Sequence, residues 1–204
     1  MLQEMKLKEF LEKTGSKSPV PGGGSVAALS ASLASSLVEM VSNLTIGKKN
    51  YQECESRMEE IKNKAENMRE KFLNDIDRDS DAFNGVMAAF KLPKDTDEQK
   101  QERKAQIQKE LKNAAIVPLE IAKDSYQILD LAEKVVKEGN KNAVTDGLVA
   151  TMMARTAVIS ALYNVKINLA SIKDEEFIED VKKEINKLSD VNERERKILN
   201  MVEL

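Results

Sequence analysis

From Val26 to Ile46 the chain carries a single charged side chain, Glu39, and from Asn142 to Ser171 only Asp146, Arg155 and Lys166. Elsewhere it is highly polar, since 33% of all residues are Asp, Glu, Lys or Arg. Two long, nearly uncharged segments in such a chain must be covered by other protein. By length the first could cross a bilayer, but its many Ser residues, with Asn43 and Thr45, make it a poor span. The expectation is therefore a buried core helix and no membrane association. Small side chains at Ala27, Ala28, Ala31, Ala34 and Ser35 let a neighbouring helix come close.

The rest of the chain also reads as helix. Gly and Pro together number 12 of 204 residues (8 and 4), so there are few chain breakers. Asn50–Phe90 reads as one long helix or two end to end, stopped by Leu92-Pro93, and Thr96–Ala115 as another. Pro118 is expected to begin or kink a helix running to Glu138, with Gly139 ending it. Asn142–Ser171 follows, then a polar tail at Asp174–Leu188 and Asn192–Val202. No strand alternation or internal repeat stands out. The fold class is all-α, a single-domain helical bundle over residues 1–204.

Composition narrows the chemistry. There is no His, which removes Ser-His-Asp catalysis and His-ligated metals. Cys54 is the one cysteine, so neither a disulfide within the chain nor a thiolate zinc site can form, and no metal site is expected. A lone thiol, with Met1–Lys13 reading as an amphipathic helix rather than a signal peptide, predicts a cytoplasmic protein. A net charge of −3 and pI near 5.4 argue against nucleic-acid binding. Acid–base work falls to carboxylates, Lys, Tyr or backbone.

Three stretches can carry such work. Ser18-Pro-Val-Pro-Gly22-Gly23-Gly24-Ser25 precedes the first apolar helix. Its glycines open backbone conformations closed to other residues, and Ser25 is a good N-cap. A helix start of this kind attracts anions, or it is simply a tight turn between packed helices. It lacks the Gly-Lys-Ser/Thr of a phosphate-binding P-loop. Next comes Asp77-Arg-Asp79-Ser-Asp81, within the Asn50–Phe90 helix. With Ile76 set at 0°, Phe72, Leu73, Phe83, Val86 and Met87 fall between about 280° and 60°, on one apolar stripe. Asp77 and Asp81 lie off it, near 100° and 140°, while Asp79 lies within it near 300°. A carboxylate there is either held by a cation or helix terminus, or desolvated for general acid–base work. The third stretch is Gly139–Asp146, which opens a helix aligning Asp146, Ala150, Met153, Ala157, Ser160, Ala161, Asn164 and Asn168 on one side. That side either packs closely through its amides or lines a pocket. A weaker signal is Gly47-Lys48-Lys49, a C-terminal glycine followed by lysines that suit a helix end or a carboxylate ligand.

Taken together, Ser18–Tyr51 (SPVPGGGSVAALSASLASSLVEMVSNLTIGKKNY) resembles the opening of the formimino-tetrahydrofolate cyclodeaminase / methenyl-tetrahydrofolate cyclohydrolase family. Asp77–Phe83, Leu92-Pro93-Lys94, Val117-Pro118-Leu119, Gly139-Asn140, Asp146 and Asn164–Leu169 follow in the family's order. Ser30 and Ser35 depart from it by standing where relatives often have Gly or Ala. The resemblance implies a cytoplasmic homodimer of folate one-carbon metabolism, acting on a tetrahydrofolate derivative, polyglutamylated or not, with no cofactor beyond that substrate. It implies conversion of 5-formimino-tetrahydrofolate to the 5,10-methenyl form plus ammonia, with hydrolysis of the methenyl form to 10-formyl-tetrahydrofolate as the alternative. A helical adaptor or a folate carrier without chemistry is the further alternative. It aligns Asp79 with the family's proton acceptor. It brings the backbone of Gly22, Gly23, Gly24 and Ser25 to the folate, Lys48 and Lys49 to its glutamate tail, and Asp146 and Asn164 to polar pocket positions.

Overall fold

The computed structural model describes residues 1–203. Seven α-helices occur in it: α1 (Leu7–Thr14), α2 (Gly23–Thr45), α3 (Glu55–Phe90), α4 (Asp97–Glu138), α5 (Val144–Leu169), α6 (Glu175–Asn186) and α7 (Val191–Leu199). The described residues contain no strand, and the fold is all-α as expected. The two uncharged segments became α2 and α5. Helix α2 packs against α3 and α5, and α4 against α3 and α5, so the four long helices close a ring. Short connections make neighbours in sequence antiparallel. Fully buried Ala28, Ala31 and Ala34 let α2 sit deep in that ring, while Phe72, Met58, Ile121, Ile128 and Leu129 fill the space between the helices. Helix α7 lies on α5 and α4.

Helix lengths are unequal, and this positions the site. Helices α3 and α4 have 36 and 42 residues, α2 and α5 only 23 and 26. The α3–α4 hairpin therefore projects beyond the end of the ring where α2 starts and α5 stops. A Thr96–Gln99 capping box starts α4 at the tip of the hairpin.

Pro118 neither starts nor ends a helix, because α4 runs through it without interruption. Proline has no N–H, so the carbonyl of Ala114, four residues earlier, loses its helical donor. Asn168 of α5 supplies one: its Nδ2 donates to the Ala114 carbonyl at 2.6 Å. A side chain from the neighbouring helix thus closes the gap in the ladder. The helix start expected at Pro118 does not occur, because the compensating donor lies 54 residues away. Asn168→Ala should leave that carbonyl unpaired and cost about 1–3 kcal/mol in chemical denaturation. The cost should shrink in a Pro118→Ala background, where the backbone N–H returns; equal costs in both backgrounds would refute the pairing.

Candidate active site

The chain from Pro19 enters α2 with Gly22 at the N-cap and no side chain capping the helix. Ser25 is not the N-cap that its sequence position suggested; it sits in the first turn, fully buried, with its hydroxyl turned toward α3. That hydroxyl lies 3.0 Å from the Ile76 carbonyl, 3.0 Å from Asp79 Oδ2 and 3.1 Å from Ser80 Oγ. The role of the glycines also differs from expectation. The one positive φ among the chain's glycines is at Gly47, 74°, just after α2. Gly22, at φ −116°, needs no special backbone freedom. What matters is space: a Cβ on Gly24 would fall 1.9 Å from Asp79 Oδ1. The helix start and the carboxylate approach so closely that no side chain fits between them.

Two opposed effects act on Asp79. Burial raises its pKa above the ordinary carboxylate value, and the hydroxyl and N–H of Ser25 pull it back down; burial is the larger. The carboxyl group thus spends more time protonated than a surface aspartate, and it sits beside unpaired first-turn N–H groups that favour its anion. One turn earlier, Asp75 is wholly buried and bound to Arg78 at 2.5 Å and Lys71 at 3.3 Å. These cations reach on to Glu120 and Asp124 of α4. Of the structural alternative weighed for Asp79, a buried carboxylate held by a cation or a helix terminus, the cation form is realised at Asp75, while Asp79 meets the start of α2.

Asp79 faces a cavity of about 340 Å³ on the ledge left by the projecting hairpin. One wall is Pro19, Val20 and Gly22–Gly24; the floor is Phe83 and Val86 of α3 with Ala114 of α4; Asn164, Ile167 and Asn168 of α5 complete it. Asn164 donates through Nδ2 to the Ser160 carbonyl at 2.8 Å. Its side chain also lies where a Cβ on Gly23 would stand, 3.1 Å from Nδ2. Asp79 is the one charged residue in the lining. Among the described residues no group of three or more His, Cys, Asp or Glu side chains is arranged for a metal ion.

The structure brings Asp79, Gly22, Gly23, Gly24 and Asn164 together, with Ser25 directly behind Asp79. Lys48, Lys49 and Asp146 are not part of this cluster. Lys48 and Lys49 follow the far end of α2, about 33 Å along the helix from Gly23. Asp146 lies about 27 Å along α5 from Asn164. Sequence reasoning did not single out Phe83, Val86, Ile167 or the Pro19-Val20 wall as pocket residues; only the apolar stripe shared with Asp79 pointed to the first two.

A profile of the formiminotransferase-cyclodeaminase family matches residues 6–187. This chain belongs to that family. It is 41% identical over 182 residues to a methenyltetrahydrofolate cyclohydrolase from Methylorubrum extorquens, covering 89% of this chain and 88% of the relative. It is 32% identical to the formimidoyltransferase-cyclodeaminase of Rattus norvegicus over 92% of this chain, which corresponds to 35% of that longer protein. The crystal structure of formiminotetrahydrofolate cyclodeaminase from Thermotoga maritima aligns with a TM-score of 0.89 at 30% identity, covering 98% of this chain and 97% of that one. The family resemblance read from the PGGGS segment and the residues around Asp79 thus holds along most of the chain.

If the missing side chain at position 24 is what admits Asp79, Gly24→Ala should lower turnover by about 10²-fold or more while circular dichroism stays helical. Gly23→Ala, whose methyl meets only the end of the Asn164 side chain, should cost far less. Equal effects in the two variants would contradict the close-approach argument.

Proposed function

We propose that the chain is a folate one-carbon enzyme that hydrolyses 5,10-methenyl-tetrahydrofolate to 10-formyl-tetrahydrofolate, with Asp79 as the general base. The observation that carries this reading is the raised Asp79 carboxyl group at the wall of an otherwise uncharged cavity, backed by the start of α2. The methenyl substrate is a cation, and its charge beside Asp79 favours the ionised, basic form. Asp79 then takes a proton from water as the oxygen adds to the methenyl carbon. The same carboxyl group returns the proton to the departing ring nitrogen and accepts the hydroxyl proton as the formyl group forms. The apolar floor holds the ring system, so that the reaction needs positioning and proton transfer only. The full-length similarity to a cyclohydrolase supports the hydrolytic direction.

Cyclodeamination of 5-formimino-tetrahydrofolate is the second reading, favoured by the similarity to the Thermotoga maritima protein. It uses the same base: N10 adds to the carbon of the protonated formimino group, Asp79 moves the N10 proton to the amino group, and the carbon–nitrogen bond to ammonia breaks as the methenyl cation forms. On either reading the tetrahydrofolate derivative is the sole small-molecule requirement, and the setting is cytoplasmic.

The functional unit on this reading is a homodimer. Val26, Leu33, Met40 and Leu44 form an exposed apolar stripe along α2, with half-buried Leu29 and Leu37 between them. Val149 and Met152 extend it onto α5. A second copy would cover this stripe. If the two α2 helices pair antiparallel, the Lys48–Lys49 end of one protomer comes to the Gly22–Gly24 end of its partner. Leu33→Glu should turn a dimer into a monomer in analytical ultracentrifugation; a wild type that is already monomeric at micromolar concentration would remove this part of the proposal.

The reaction is tested by following the methenyl chromophore with each substrate, spontaneous hydrolysis subtracted. Accelerated loss from the methenyl substrate is expected, with an acid limb in kcat/KM displaced upward from that of an ordinary aspartate because the base must be ionised. Asp79→Asn should lose about 10²–10⁴-fold in turnover. The folded-state pKa of Asp79 is raised, so its contribution to stability is full below the unfolded pKa and is lost as pH rises through the folded one. At pH 7 the variant should therefore melt at the same or a higher temperature than wild type. Unchanged turnover in Asp79→Asn would remove the base assignment.

A further inference from the structure

Behind Asp79, on the side away from the cavity just described, lies a second cavity of about 280 Å³. Met1, Leu2 and Met5 bound it on one side, and Asp77, Ser80, Asp81 and Asn84 of α3 on the other, with Lys13 and Val20 closing the ends. The amino-terminal turn is tied down here, as the N–H groups of Leu2 and Gln3 donate to the Asp77 carboxylate at 2.6 and 3.2 Å. Asp81 is exposed at its mouth. Val20 is the one residue lining both cavities.

Two hydroxyl groups connect them. Asp79 Oδ2 is 3.0 Å from Ser25 Oγ, and Ser25 Oγ is 3.1 Å from Ser80 Oγ, which lines the second cavity. Ser25 is fully buried and Ser80 is 5% exposed, so no bulk water competes along the path. A serine hydroxyl has one donor and two acceptor positions, so it can pass a proton by accepting one and releasing its own. With Asp79 ionised, Ser25 donates to it. With Asp79 protonated the row can reverse: Asp79 donates to Ser25, Ser25 to Ser80, and Ser80 to water.

We propose that Ser25 and Ser80 form a proton exit, carrying the proton gained by Asp79 to water in the second cavity near Asp81. This rests on the hydrolytic reading above, whose balance requires that one proton leave Asp79 in each cycle. A cationic methenyl substrate plus water gives a neutral 10-formyl product and one proton. The carbon–oxygen bond forms, the carbon–nitrogen bond to the ring nitrogen breaks, and one proton remains on Asp79 after each cycle. While product fills the substrate cavity, the hydroxyl row offers the proton a second way out. In cyclodeamination of the protonated, amidinium form of the 5-formimino group, the N10 proton leaves on ammonia and no net proton remains; from the neutral form a proton is taken up rather than released. The exit therefore fits hydrolysis and is superfluous for deamination. Ser80 touches neither substrate nor reacting atoms; it acts through Ser25.

The test uses Ser80→Ala and Ser80→Thr in the full chain, with first-turnover and steady-state rates of methenyl hydrolysis measured separately. Ser80→Ala is expected to slow steady-state turnover at least about tenfold, less than loss of the base itself. It should slow the first turnover less, because the proton must leave only before the second. Added imidazole buffer, a small proton carrier, should restore the steady state, and Ser80→Thr should retain it. A steady state unaffected by Ser80→Ala overturns the exit. So does an equal loss in both phases that imidazole does not relieve, since that marks a packing role. A wild type that does not hydrolyse the methenyl substrate overturns the hydrolytic reading and the exit together. An active wild type with an indifferent Ser80→Ala variant overturns the exit alone.

Discussion

Everything at the candidate site depends on the contact between the start of α2 and the Asp79 carboxyl group. Ordinary helix packing keeps axes 8–10 Å apart because side chains intervene. Here Gly24 contributes none, and a Cβ would stand 1.9 Å from the carboxylate oxygen. Backbone N–H groups at the head of one helix thus meet a carboxyl group from the flank of another. The contact also orders the surroundings. It fixes the Pro19–Gly22 wall of the cavity and directs Ser25 between Asp79 and Ser80. On the other side of the cavity it sets Gly23 against Asn164.

The bundle supports this contact from outside through a buried ionic network. Taking Asp75 entirely out of water is costly without partners. Arg78 and Lys71 supply them, and each also grips α4, through Glu120 and Asp124 respectively. The rotation of α3 about its own axis is thereby tied to α4. Asp79 lies one turn further along the same face, so the network that satisfies Asp75 also aims Asp79 at α2. The two carboxylates differ in company: cations surround one, while apolar side chains, a hydroxyl and a helix start surround the other.

Much of this was legible in the sequence because helix periodicity is local. The two uncharged segments announced α2 and α5, and the angle of Asp79 on its stripe placed it among buried neighbours. Periodicity does not report partners on other helices. Asp75 lies near 260° on the same wheel, at the edge of the stripe; its cations Arg78 and Lys71 are local, but the α4 carboxylates they also grip, Glu120 and Asp124, are more than 40 residues from them. Pro118 looked like a helix boundary because the donor that repairs it, Asn168, is invisible to local reading. The glycine run was legible as a special backbone, but its reason, an absent Cβ facing Asp79, exists only once α2 and α3 are packed. Lys48, Lys49 and Asp146 follow the same logic in reverse. Their residue types suit a polar ligand, yet helix length alone carries them to the opposite end of the bundle.

Burial and charge act on Asp79 in opposite directions, and a substrate can change the balance between them. A fully ionised carboxylate in an apolar pocket would destabilise the empty protein, and burial answers by raising its pKa. No other charged group lines the cavity to counter this. A cationic folate derivative entering the cavity would supply the missing positive charge at short range, in surroundings where water screens it weakly. The same burial that weakens the acid in the free protein strengthens its attraction to such a substrate. A neutral derivative would lack that attraction. Binding preference and base activation then follow from a single property, the solitude of one carboxylate at the head of α2.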